Sequence, residues 1–181
     1  MKLNRCRWVP QDDPLYIAYH DNEWGQVHTD DHYLFEFLIL EGFQAGLSWA
    51  CILHKRKAFE EAFDDFDVNK VANYTDEKLE ELAQNKDIVR NRLKIKAART
   101  NARIFLDVQK EYGSFSDYLW GFSDQQVLHE VFQTTCPLSD EISADLKKRG
   151  MKFVGSTIIY SYLQACGIIN DHEEQCFRRT V

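Results

Sequence analysis

The stretch LILEGFQAGLSW, residues 38–49, places an acid, Glu41, inside an apolar run. Read as a helix, it puts Leu34, Leu38, Glu41 and Ala45 at i, i+4, i+7 and i+11, on one face. That face is the one expected to be buried. An ionised carboxylate taken out of water without a partner is strongly disfavoured. Glu41 therefore requires either a protein donor or a cationic, hydrogen-bonding ligand.

Working outward, helical patterns cover about 30–43, 48–63, 67–73, 75–84, 88–111, 114–120, 124–132, 139–148 and 156–166. YTDEKLEEL supplies a cap, Thr75, with acids in the first turn. SDEISADLKKRG reads as capped at Ser139 and stopped at Gly150, with cations in its last turn. The first two dozen residues read as irregular, since Pro10 and Pro14 exclude a long early helix. No set of alternating strands emerges, so the fold class expected is all-α. The 181 residues suit one domain of two lobes or two small domains. Without a repeat or flexible linker, we read 1–181 as a single globular unit.

The composition is that of an ordinary globular protein, 44% hydrophobic and 28% charged. A net charge of −7 excludes a generally basic nucleic-acid coat but leaves room for a local basic face. The apolar runs are too short to span a bilayer, and MKLNRCRWVPQDDP has no apolar signal core. The expectation is an intracellular, cytoplasmic protein. Its five cysteines are then thiols or metal ligands rather than disulfides.

The tail NDHEEQC carries His172 and Cys176 at i, i+4, which on a helical turn point the same way. The N-terminus offers Cys6 and His20. Together the four suit a tetrahedral zinc site without an open position, and hence a structural one. It would staple both termini, about 1–30 and 167–181, into one lobe. From spacing alone the plainer alternative stands beside it: an exposed histidine and small buried cysteines. Cys51, Cys136 and Cys166 lie in apolar or loop contexts and read as core-packing residues.

LKKRGMKFVGSTIIYSYLQACG, residues 146–167, reads as a helix, a tight turn and a second helix. Gly155 leads into a helix N-terminus, where amides converge on an anion. Lys147, Lys148, Arg149 and Lys152 add local positive charge. This suits a helix–hairpin–helix clamp on a DNA phosphate; a plain connection with solvated lysines is the alternative. RNRLKIKAARTNAR (90–103) reads as a helix with a solvated basic face that is available to DNA.

Trp8, Tyr16, Tyr19, Trp24 and Trp49 surround Glu41 in sequence. Gathered around it, they form a planar slot with a carboxylate at one end, suited to a flat cationic heterocycle. Left dispersed, they are core aromatics. The acid on an apolar face favours the slot.

The blocks CRWVPQDDPLYIAYHDNEWG, LFEFLILEGFQAGLSW, LKKRGMKFVGSTIIYSYLQACG and NDHEEQC resemble the 3-methyladenine DNA glycosylase I family, in order, from about residue 4 to 176. The resemblance implies a helix–hairpin–helix glycosylase fold with one structural zinc held by Cys6, His20, His172 and Cys176. It implies excision of 3-methyladenine from alkylated double-stranded DNA, leaving an abasic site without strand cleavage. It makes Glu41 the catalytic and base-recognising residue, with Tyr19, Trp49, Trp8, Trp24 and Tyr16 around the base. The phosphate-binding hairpin falls on Lys152, Phe153, Val154, Gly155 and Ser156. A monomer is expected, with free 3-methyladenine as product.

The chain departs from the family at Phe43, where a polar residue is common, and at Asp87, where some relatives have glycine. Between Tyr118 and Pro137 the match is loose. Asp171 lies near the spacing of the superfamily's catalytic aspartate, yet beside His172, and we assign it to the metal lobe. Two rival functions remain: a non-catalytic DNA-binding module and a zinc hydrolase with an open metal position.

Overall fold

Helices dominate the computed structural model, which describes residues 3–129 and 132–179. In chain order they are α1 (Pro14–Asn22), α2 (Asp31–Gln44), α3 (Trp49–Leu53), α4 (Arg56–Ala62), α5 (Val68–Ala72), α6 (Asp76–Gln84), α7 (Arg92–Tyr112), α8 (Phe115–Gly121), α9 (Pro137–Arg149) and α10 (Ser156–Ala165). A two-residue parallel ladder joins β1 (Leu128–His129) to β2 (Ile169–Asn170). The fold is thus mostly helical with little sheet. No helix of the described residues is long and apolar enough to cross a membrane.

Local chemistry explains where the elements start and stop, and where the sequence misleads. Pro14 does not exclude an early helix. It opens α1 at the first turn, where no amide partner is lost, and Asp13 caps it through the Tyr16 amide. The pattern at 48–63 is interrupted at His54 and Lys55, which separates α3 from α4. No helix covers the described part of 124–132. Asp124 and Gln125 adopt φ of 52° and 61°, which stops helical propagation, and the chain then pairs as β1. Positions 130 and 131 lie outside the described residues. Thr75 caps α6, as its sequence suggests. Ser139 does not cap α9. That position is Cys136, and Ser139 sits at N3, where its hydroxyl accepts the Cys136 amide at 2.8 Å. Gly150 ends the helix at φ 103°.

α2 is the spine. Every residue from Leu34 to Phe43 is buried, so the helix is enclosed on all sides rather than on one face. It packs on α3, α7, α8 and α10. Two of its buried residues are acids. Glu36 is bound by Arg56, with contacts of 2.6 and 3.2 Å, and Arg56 also reaches Glu23 at 2.7 Å. Glu41 is the other.

The C-terminus of α2 is closed by Lys94 of α7. Its buried ammonium donates to the carbonyls of Phe43 at 2.8 Å and Ala45 at 2.6 Å. This places a positive charge on the negative end of the helix carrying Glu41. Other cations of the 90–103 stretch are also engaged within the fold: Arg92 with Glu80, Arg99 with Asp76 and the Tyr74 carbonyl, and Arg103 with the Ala72 carbonyl. Much of that helix thus serves as a buttress, while Lys96 stays exposed on it. Lys94→Met keeps the stem but removes the donor. We expect it to lower the unfolding free energy by roughly 1–3 kcal/mol in urea titrations, without changing helical content.

Candidate active site and metal centre

Glu41 projects from α2 into a cavity of about 400 Å³ lined on one side by Trp8, Tyr16, Tyr19, Trp24 and Trp49. The aromatics expected around it are therefore all there. Tyr19 and Trp49 approach with centroids 5.2 Å apart, and Trp8 meets Trp24 edge-on at 4.8 Å. α1 supplies Tyr16 and Tyr19, the loop before it Trp8, and the start of α3 Trp49. Gln44, one turn beyond Glu41, completes this side.

Glu41 is only 4% exposed and has no ion pair or hydrogen bond among the described residues. Burial alone pushes its carboxyl up to about 8. With the cavity empty, Glu41 therefore holds its proton at neutral pH instead of standing as a bare anion. A cation entering the slot would reverse this by favouring the ionised form. The indole nitrogen of Trp49 is also buried without a partner. The slot thus presents a carboxyl without a protein partner among aromatic side chains.

The rest of the lining was not read from the sequence. It comprises Phe132, Gln133, Ser161, Gln164, Asp171 and Glu173. Ser161 and Gln164, one turn apart on α10, were a legible polar stripe on a largely apolar helix. Asp171 belongs to this lining as well as standing beside the metal cluster. It is buried and accepts from Tyr160 Oη, Gln164 Nε2 at 2.9 Å and the Phe132 amide at 3.1 Å.

Cys6, His20, His172 and Cys176 converge from the two ends of the chain, all buried, with ligand atoms within 4.8 Å of one another. Cys6 Sγ and Cys176 Sγ each lie 3.5 Å from His172 Nδ1, and Cys176 Sγ lies 3.5 Å from His20 Nε2. Ligands about 2.0–2.3 Å from a tetrahedral centre stand about 3.3–3.8 Å apart, the spacing of these three pairs, so two thiols and two imidazoles are gathered closely enough to suit a zinc ion. The outward nitrogens are fixed as metal-bound imidazoles require. His20 Nδ1 meets Asp21 at 2.8 Å, itself clamped by Arg5, and His172 Nε2 donates to the Trp24 carbonyl at 3.1 Å. His172 and Cys176 flank a turn at 174–175 rather than lying on a helix. Burial pushes the Cys6 thiol up to about 12 and holds His172 down to about 4 in the metal-free protein. Gly25, at φ +73°, leaves room for this packing: a Cβ there would stand 2.9 Å from His172 Nε2.

The cluster and the slot share walls. Trp24 packs edge-on against His172 at 4.6 Å, and Trp8 against His20 at 5.3 Å.

The hairpin residues are held from behind. Asn101 of α7 accepts the Lys152 amide at 2.9 Å and donates to its carbonyl at 2.8 Å. Val154 is a core residue whose carbonyl accepts from Ser143. Phe153 takes φ 55°, and Gly155 caps α10. Lys152 is exposed, whereas the Ser156 hydroxyl is already bound to Asp140 at 2.5 Å.

Residues 8–179 match the model of the methyladenine glycosylase family. The chain is 48% identical to DNA-3-methyladenine glycosylase 1 of Escherichia coli (strain K12), covering 96% of each chain. It is 39% identical to DNA-3-methyladenine glycosylase of Haemophilus influenzae, over 95% of this chain and 96% of that one. Among solved structures, it superposes with TM-score 0.94 and 35% identity on a tyrosine-to-phenylalanine variant of 3-methyladenine DNA glycosylase I in complex with 3-methyladenine. That match covers 99% of each chain. The Staphylococcus aureus 3-methyladenine DNA glycosylase I aligns at TM-score 0.93 and 36% identity, over 99% of this chain and 98% of that one.

The raised Glu41 carboxyl has a thermodynamic consequence. The unfolded chain ionises this group near 4.5, whereas the folded chain keeps the proton to about 8. Between those limits the folded state binds more protons, so stability falls as pH rises. Glu41→Gln removes that dependence. We expect it to be more stable than the parent by roughly 2–4 kcal/mol at pH 8, with the gap closing below pH 5, in denaturant titrations across pH.

Proposed function

This chain belongs to the methyladenine glycosylase family, and from that premise we propose that it hydrolyses the N-glycosidic bond of 3-methyladenine in alkylated double-stranded DNA. The free base leaves and an abasic site remains. The observation that carries this reading is the unpartnered, buried Glu41 at the end of an aromatic slot. An apolar core has no use for such a group, whereas a methylated purine on its nucleoside carries the compensating charge.

Methylation at N3 makes the base a good leaving group while it is still attached to the sugar, so little acid catalysis is required. The protein's task is to take the nucleotide from the stack and to discriminate the altered base. Trp8, Tyr16, Tyr19, Trp24 and Trp49 bind the ring by stacking and cation–π attraction, each good contact contributing about 0.5–2 kcal/mol. Glu41 gives up its proton as the cation enters and accepts from the base's N–H groups. A neutral adenine offers no such compensation, and Glu41 then remains protonated or pays desolvation. As the glycosidic bond breaks, DNA phosphate and a nearby carboxylate stabilise the oxocarbenium-like sugar, and water adds to it. No lysine attacks the sugar, so the enzyme is monofunctional, without lyase activity.

In this reading α9, residues 150–155 and α10 form the helix–hairpin–helix. The amides from Lys152 to Ser156 and the Lys152 ammonium hold a DNA phosphate. Cys6, His20, His172 and Cys176 would hold one zinc ion, whose part would be structural rather than chemical. Its lobe, from about 1–30 and 167–181, fixes Trp8 and Trp24 against the base. Four protein ligands disfavour the zinc-hydrolase alternative, and the slot disfavours a purely DNA-binding module. The protein acts as a cytoplasmic monomer.

Methylated duplex DNA incubated with the protein should release 3-methyladenine, identified by chromatography, and Glu41→Ala should lower the rate at least about 100-fold. A fully active Glu41→Ala would remove that residue from the mechanism. Metal content should be one zinc per chain by elemental analysis. Stripping the ion should lower both the melting temperature and the affinity for 3-methyladenine, because His20 and His172 carry Trp8 and Trp24.

A further inference from the structure

We propose that Phe132 is a specificity-determining wall of the base slot, set in place by Asp171 and Tyr160 as positioning residues. This rests on the glycosylase reading above. Phe132 lines the same cavity as the aromatic set, yet the residue is 53% exposed. A phenylalanine left half in water is ordinarily a dispensable surface residue. This one is held by buried groups. Its amide donates to Asp171 Oδ1 at 3.1 Å, and the next amide, of Gln133, donates to Tyr160 Oη at 3.0 Å. Tyr160 Oη in turn donates to Asp171 Oδ2, which also accepts from Gln164 Nε2 at 2.9 Å. Asp171 and Tyr160 are 4% and 2% exposed.

The backbone at Phe132 is left-handed, φ 45°, which a bulky side chain rarely adopts. Two buried anchors thus hold a strained, half-exposed residue in the lining of the cavity. The ring makes no contact with another aromatic among the described residues, so packing within the fold does not account for its position. A flat purine seated against Glu41 does: Phe132 covers the part of the ring that Trp8, Tyr19 and Trp49 leave towards water. Covering that side adds a contact to the base and keeps the Glu41 environment dry, which is what makes the slot selective for a cation.

Because Trp8, Trp24 and Trp49 line the slot, quenching of indole fluorescence on titration with 3-methyladenine reads the affinity of the full-length protein directly. Phe132→Ala should weaken binding on the order of 5- to 20-fold, as loss of one stacking wall does, with an unchanged melting temperature. Phe132→Trp should bind within about 2-fold of the parent. Tyr160→Phe should weaken binding in the parent but add nothing in the Phe132→Ala background, because it acts through Phe132. A Phe132→Ala protein within about 2-fold of the parent overturns the proposal, as does a Tyr160→Phe effect of equal size in both backgrounds. A parent that neither binds 3-methyladenine nor releases it from methylated DNA overturns the glycosylase reading, and this inference with it.

Discussion

The cost of keeping a carboxyl dry without a counter-charge is the constraint on which the site depends. α2 contains the comparison within itself. Glu36 and Glu41 are equally buried on one helix, but Glu36 is clamped by Arg56, whereas Glu41 has no partner among the described residues. The first is what a folded protein does with a buried acid. The second is tolerated only because the group can hold a proton, which burial achieves by raising its carboxyl to about 8. The slot is therefore neutral when empty and becomes an anion when a cation compensates it. In the proposed reading, selectivity follows from that exchange more than from shape.

The surrounding architecture maintains this state. Lys94 ties the end of α2 to α7, and Asn101 of the same helix holds the turn before α10, so one buttress fixes both the acid's helix and the hairpin. The metal cluster closes the other side. Its two histidines pack against Trp8 and Trp24, which ties the cluster to two indoles of the slot lining. An unbridged pair of termini would leave these two indoles on loosely held chain.

Much of this was legible in the sequence. An acid in an apolar helix announces itself, and Cys and His pairs at both ends of a chain suggest a shared ion. The long periodic helices were readable for the same reason: burial of α7 and α10 leaves a clear pattern. What was not readable arose where local signals compete. Pro14 looks like a breaker and serves as a helix start. The 124–132 segment has helical composition, but left-handed residues at Asp124 and Gln125 stop it and tertiary pairing captures it as β1. Lys94 and its neighbours read as a solvated face, because a lysine's burial against helix-terminal carbonyls depends on a helix some fifty residues away. Asp171 read as part of the metal lobe alone, since nothing local shows that its carboxylate also reaches the slot. The ionisation of Glu41 was likewise beyond pattern: the sequence implies a buried acid, and the lack of a donor among the described residues is what raises its carboxyl.

The most direct measurement is the ionisation of Glu41 itself, followed by carbon NMR of protein labelled at the glutamate carboxyls, with Glu41→Gln identifying the resonance. With the slot empty, the account predicts a titration displaced upward toward 8 and a fall when methylated DNA is bound. A Glu41 that titrates near 4.5 in the free protein would contradict it, because a carboxylate that is comfortable as an anion on its own has no need of a cationic base.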